Sequence, residues 1–184
     1  MNLGSVIETI FQELSDVLWK VDETQVQQLL QDILTARRIV VFGVGRMGLM
    51  SRAFVMRLMH LGFNAHMVGD CTTPAVGPGD LLLLNSGSGE TQTVFDVAVL
   101  GQKAGARLAT ITARPASRIA KLARTVVTLP GRAKTDSGGP ASIQPMTTLN
   151  EQSLLLLLDA MVILLTEVTG QSLDDLSRRH CNLE

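Results

Sequence analysis

Five short apolar runs, each closed by a glycine or a turn and separated by stretches of helical periodicity, constrain this fold most. Ile39-Val40-Val41-Phe42 is β-branched and ends at Gly43, as a strand buried on both faces should. Asn64–Val68 is a second run, and Leu81-Leu82-Leu83-Leu84 a third. Leucine favours helices, but Gly79 and Gly87 bracket this run too closely for one. Arg107–Thr112 and Thr125–Leu129 complete the set. Helical patterns lie between most of these runs, at about Met47–Leu61, Thr91–Lys103 and Ser117–Ala123. Strands alternating with helices require crossovers, and crossovers give a parallel sheet covered on both sides. The expected fold is therefore a three-layer α/β/α unit around five parallel strands, with no repeat or linker dividing residues 1–184.

Two amphipathic helices precede this core. Leu3, Val6, Ile7, Ile10, Phe11, Leu14, Val17 and Leu18 repeat at helical spacing. Asp22 then caps a second helix to about Ala36, with Val26, Leu29, Leu30, Ile33 and Leu34 on its apolar face. Leu154–Leu165 is almost wholly apolar but is interrupted by Asp159 and falls short of the ~20 residues of a membrane span. It reads as a helix buried in the core or against another subunit. The helix from Met47 also carries apolar residues on more than one face, among them Leu49, Met56 and Met59. A surplus apolar face marks an interface, so a homo-oligomer is expected.

Composition narrows the function classes. The net charge of −1 argues against a nucleic-acid binder, which needs an excess of Lys and Arg. Aromatic residues are 3% with no tyrosine, which removes stacking platforms for bases. Cys71 and Cys181 are the only cysteines, and with three scattered histidines they form no zinc spacing. Glu8 and Glu13 stand where a signal peptide would be apolar. A reduced, cytoplasmic setting is the expectation.

Two glycine loops follow strands. Gly43-Val44-Gly45-Arg46-Met47-Gly48 fits the dinucleotide pattern G-x-G-x-x-G, with Asp70 about where a ribose acid belongs. Against that reading, Asp70 follows a Val68-Gly69 turn, and no second domain brings a hydride acceptor. The other loop is Ser86-Gly87-Ser88-Gly89-Glu90-Thr91, at the start of a helix. Amide hydrogens at such a start, with the positive end of the helix dipole, bind anions. The hydroxyls of Ser86, Ser88 and Thr91 can donate to phosphate oxygens. The loop has no lysine, so it is not a nucleoside-triphosphate loop, and a sugar monophosphate suits it better. On spacing alone, Ser88 serves equally well as an ordinary helix cap.

The Ser86–Thr91 loop after a buried strand resembles the phosphate loop of the sugar isomerase (SIS) domain. Further segments are similar to the 6-phospho-3-hexuloisomerase family: Met56–Gly62, Thr73-Pro74, Gly79–Leu82, Ile143–Met146, Leu149 with Glu151-Gln152, and Arg179–Glu184. The resemblance covers nearly the whole chain. It implies a tetramer with active sites between subunits and interconversion of D-arabino-3-hexulose 6-phosphate and D-fructose 6-phosphate through an enediolate, with no cofactor or metal. Carried over by residue, it places phosphate binding on Ser86, Gly87, Ser88 and Thr91, and sugar binding on Gly45. The acid/base residues it implies are Glu151 and His180, and its first glycine loop falls on Gly45 and Arg46. The chemistry then needs a base and a partner for the enediolate oxygen, so the expected catalytic roles are Glu151 as base, Arg46 as that partner and His180 as a proton carrier.

The chain departs from the family pattern at Met47, where serine is frequent, and at Asn150, where an aromatic residue is usual. By the resemblance both positions would border the sugar, so an isomerase of a different phosphosugar, or a sugar-phosphate sensor without catalysis, is the alternative. Each assignment also has a simpler rival. Thr148-Leu149-Asn150-Glu151 matches a capping box, Arg46 has the charge to pair with any nearby carboxylate, and His180 lies where chain ends fray. His60 and His66 read as structural or surface residues. The stretch from Gly131 to Met146, rich in glycine and proline, is expected to pass over the site.

Overall fold

The computed structural model describes residues 1–131 and 142–183. The five runs form strands at Ile39–Gly43 (β1), Ala65–Met67 (β2), Leu81–Asn85 (β3), Arg107–Thr112 (β4) and Thr125–Thr128 (β5). All neighbours pair in parallel, in the order β2-β1-β3-β4-β5. The fourth strand has the span expected of it. The second loses Asn64 and Val68, because as an edge strand it has only β1 to bond with.

The leucine run behaves as a strand buried on both faces. Leu81 and Leu83 point into a core shared with Ile39, Val41, Ala109 and Ile111. Leu82 and Leu84 point the other way, into a smaller core with Val40, Val94, Ala98 and Ile119. The alternation of a pleated strand thus builds three layers from one apolar sequence.

The larger core is covered by helices at Leu3–Leu18 (α1), Glu23–Leu34 (α2), Gly45–His60 (α3) and Thr148–Thr169 (α6). The smaller is covered by Gln92–Lys103 (α4) and Arg118–Leu122 (α5). Asp22 caps α2 as expected, accepting a 2.8 Å bond from the Thr24 amide. A short helix at Leu173–Arg178 (α7) was not indicated by periodicity; it buries no residue and is closed by a Ser172–Asp175 capping box.

By length and composition α6 would cross a membrane. Instead Leu154, Leu158, Met161 and Leu165 are fully buried in the larger core, where the helix packs along α1 and α3. At the amino-terminal rim of the sheet, Asp80 is wholly buried and accepts bonds from Arg37, Arg38 and the Gly77 amide at 2.9–3.2 Å. Burial alone would raise its pKa; these donors outweigh it and hold the carboxyl at about 2. Cys71 and Cys181 are both exposed and free.

Candidate active site

The strand order reverses between β1 and β3, with α3 leaving to one face and α4 to the other. At such a switch point the carboxyl ends of the strands diverge and leave a crevice. A cavity of about 680 Å³ opens there. Its walls are Val44–Met47 after β1, Asn85–Ser88 with Glu90 and Thr91 after β3, and Pro145–Thr148 with Asn150 and Glu151 at the start of α6. The end of the glycine- and proline-rich stretch therefore does border the site; its residues 132–141 lie outside those described.

The first glycine loop serves packing. A Cβ on Gly48 would stand 2.5 Å from the Gly43 carbonyl oxygen, so these two glycines let α3 start directly against β1. Asp70 lies beyond the tip of β2 and is engaged by Arg52 at 2.7 Å. The dinucleotide reading thus loses its ribose acid.

The second loop is held by its own hydroxyls. Ser86 Oγ accepts from the Gly89 amide and sits 3.2 Å from Thr91 Oγ1. Gly89 adopts a φ of 63°, and a side chain there would collide with Ser117. Ser88 Oγ accepts from the Glu90 amide rather than from α4, so Ser88 is not that helix's cap; Thr91 occupies the cap position. Glu90 is held by Arg118, whose backbone amide donates to one carboxylate oxygen and whose guanidinium forms an ion pair with the other while lying over the Phe95 ring.

Among the described residues, α1, α2, α5 and α7 all have a side chain bonded across their amino termini. The three helices that start on the cavity, α3 at Val44, α4 at Thr91 and α6 at Thr147, have none. A helix start without a side-chain cap leaves amides with no intrahelical partner and carries about half a positive charge. Three such ends converging on one cavity make a strong anion site.

Glu151, in the first turn of α6, is buried. Its Oε2 lies 2.6 Å from Arg46 Nε in an ion pair that is not an aligned hydrogen bond. Its Oε1 accepts from Thr147 Oγ1 at 2.9 Å. The capping box does not form, because the helix starts one residue earlier than the pattern assumed and Thr147, not Thr148, holds the cap position. Arg46 does pair with a nearby carboxylate, as its simpler reading allowed, and that carboxylate is the predicted base. Arg46 remains half exposed.

His180 is not brought to this cavity within the chain. Its ring lies 5.1 Å from that of His60, at the far end of α3, whose 16 residues span roughly 24 Å. His60 is buried. Burial first, then Arg57 and His180, push its pKa below the ordinary value. His66 is a surface residue bonded to Asn64.

Sequence reasoning missed three features of the site. Asn85 and Thr147 line it, and Glu13 on α1 fastens its wall. Glu13 accepts from Ser142 Oγ, the Ile143 amide and Gln144 Nε2 at 2.7–2.9 Å. Burial would raise its pKa, but these bonds prevail and lower it. Contacts more than 120 residues apart leave no local signal in a sequence.

The SIS domain family model matches residues 32–164. A 3-hexulose-6-phosphate isomerase from Bacillus subtilis (strain 168) is 38% identical over the full length of both chains. One from Mycobacterium gastri is 44% identical over 94% of this chain and 86% of its own. A crystal structure from Methanococcus jannaschii, from which a 3-hexulose-6-phosphate isomerase function was inferred, superposes with a TM-score of 0.85 at 30% identity, covering 97% of this chain and 98% of that one.

Proposed function

The chain belongs to the SIS domain family, and on that premise we propose that it interconverts D-arabino-3-hexulose 6-phosphate and D-fructose 6-phosphate. The observation that carries this reading is the convergence of three uncapped helix starts on a cavity that also holds the Glu151–Arg46 pair. One part suits a phosphate dianion, the other a proton transfer beside developing negative charge.

The reaction moves a carbonyl between carbons 3 and 2. Glu151 takes the proton from carbon 2 of the 3-ketose. The C–H electrons form the C2–C3 double bond, and the carbonyl pair moves onto oxygen 3. Arg46, drawn from Glu151 to the substrate, meets that charge. A proton passes from oxygen 2 to oxygen 3, and Glu151 returns its own to carbon 3 as the carbonyl forms at carbon 2. The Ser86–Thr91 loop with Gly87 holds the phosphate, Gly45 leaves room for the sugar, and binding energy from the phosphate fixes the reacting end.

His180 enters this scheme from a second copy of the chain. Exposed apolar residues support such an assembly: Leu3, Ile7 and Phe11 on α1, Leu49 and Met56 on α3, and Leu156 and Ile163 on α6. The chain works as one unit over residues 1–184, as a cytoplasmic homotetramer with sites between subunits.

Proton NMR of fructose 6-phosphate with the enzyme in deuterium oxide tests the reaction. Deuterium is expected at carbon 3, together with resonances of the 3-ketose. Exchange at carbon 1 instead would indicate a 1,2-isomerase, and no exchange would end the isomerase reading.

A further inference from the structure

Two buried primary amides border the cavity, and the chemistry so far uses neither. Asn85 ends β3 and is fully buried; Asn150 precedes Glu151 on α6 and is 1% exposed. Burying an amide atom without a partner costs free energy that nothing in the fold returns.

The orientation of Asn85 follows from its neighbours. Ser51 Oγ donates its single hydrogen to the Met47 carbonyl at 2.8 Å. It can then only accept from Asn85, 2.8 Å away, which must present Nδ2. The Asn85 Oδ1 is left as an acceptor with no donor among the described residues.

Asn150 is more exposed to this cost. Neither its Oδ1 nor its Nδ2 has a partner among the described residues. Its side chain is wedged between two glycines: a Cβ on Gly87 would stand 2.7 Å from Nδ2, and one on Gly131 would stand 3.2 Å from its Cβ and Cγ. The amide is thus lodged against the Ser86–Thr91 loop on one side and adjoins Glu151 on the other. Packing fixes its place, and nothing among the described residues satisfies its polar atoms.

We propose that Asn150, with Asn85, reads the hydroxyl groups of the substrate's carbon chain between the phosphate and the reacting carbons. A hydroxyl both donates and accepts. Asn150 offers one acceptor and a donor, and Asn85 one further acceptor, so together they favour a polyol phosphate over a phosphate on a plain alkyl chain. A site with polar atoms placed for a hydroxyl discriminates strongly against a ligand lacking it, because those atoms then stay unmatched. This inference rests on the phosphosugar reading above and adds the residues that choose the sugar.

Calorimetry with three ligands tests it: fructose 6-phosphate, n-butyl phosphate and inorganic phosphate. The wild-type protein is expected to bind fructose 6-phosphate at least tenfold more tightly than butyl phosphate. Asn150→Ala, and separately Asn85→Ala, should shrink that ratio to near one while leaving inorganic phosphate affinity within about twofold. An unchanged ratio in folded Asn150→Ala would overturn the proposal. Should a variant not fold, the wild-type ratio still decides, since equal affinity for the sugar and alkyl phosphates overturns it as well. Carbon-3 exchange on fructose 6-phosphate, measured on the same wild-type preparation, separates the two claims. Exchange without sugar preference removes the amides' role alone, whereas absent exchange removes the isomerase reading.

Discussion

Glu151 carries the greatest consequence of any single side chain. Its carboxylate is buried, bonded by Thr147 and paired with Arg46. Glu151→Gln keeps the shape and the Thr147 bond but removes the base, so kcat should fall by about 10²–10⁴. Arg46→Ala leaves the base in place and removes the countercharge, so kcat should fall while phosphate affinity holds. Steady-state kinetics with calorimetry checks both; near-wild-type kcat in either variant removes that residue from the scheme. The sequence contained most of this site: the Ser86–Thr91 loop, Gly45, Arg46 and Glu151 all border one cavity. It misjudged the cap, because Thr147 and Thr148 are adjacent and a pattern of residue types does not say which one starts the helix. The buried polarity of Asn85 was invisible because the rule applied to its run, apolar residues between glycines, says nothing about the strand's last position.

At the scale of elements, the five strands were readable as short runs closed by glycines or turns, and the first two helices from their apolar periodicity. What was not readable is how elements are fastened across the chain. Glu13 is one residue of an ordinary amphipathic helix, yet it takes three bonds from residues 142–144, which lead into the cavity wall at Pro145–Thr148. Glu13→Ala should release that wall from α1. Since the wall ends in Thr147, which orients Glu151, kcat/KM is expected to drop about tenfold with inorganic phosphate affinity unchanged. A loss of thermal stability with kcat/KM intact would show that the fastening is structural only. The short helix α7 escaped notice for a related reason: none of its residues is fully buried and only Leu176 packs against the core, so no apolar periodicity announces it.

For the whole molecule, the exposed apolar faces of α1, α3 and α6 lead to an expected mass by light scattering above that of one chain at micromolar concentration. A monomer there would also withdraw His180 from the site. Stability should depend on the opposite rim, where Asp80 holds Arg37 and Arg38. Its pKa is lowered from 3.8 to about 2, so the folded state favours the charged form more than the unfolded chain does. The resulting stability is complete above pH 3.8 and fades as the pH falls through about 2. Asp80→Asn should cost about 2 kcal/mol at neutral pH, read as a melting temperature lower by roughly 4–8 °C, with turnover per folded molecule unchanged. Asp80 stands just before β3, and Asn85 and the phosphate loop stand at its end. A five-residue strand therefore keeps the molecule's main electrostatic rivet roughly 16 Å from its chemistry. Descendants of such a chain can trade one sugar for another at one rim without loosening the other, which gives the scaffold room to change its diet while staying folded.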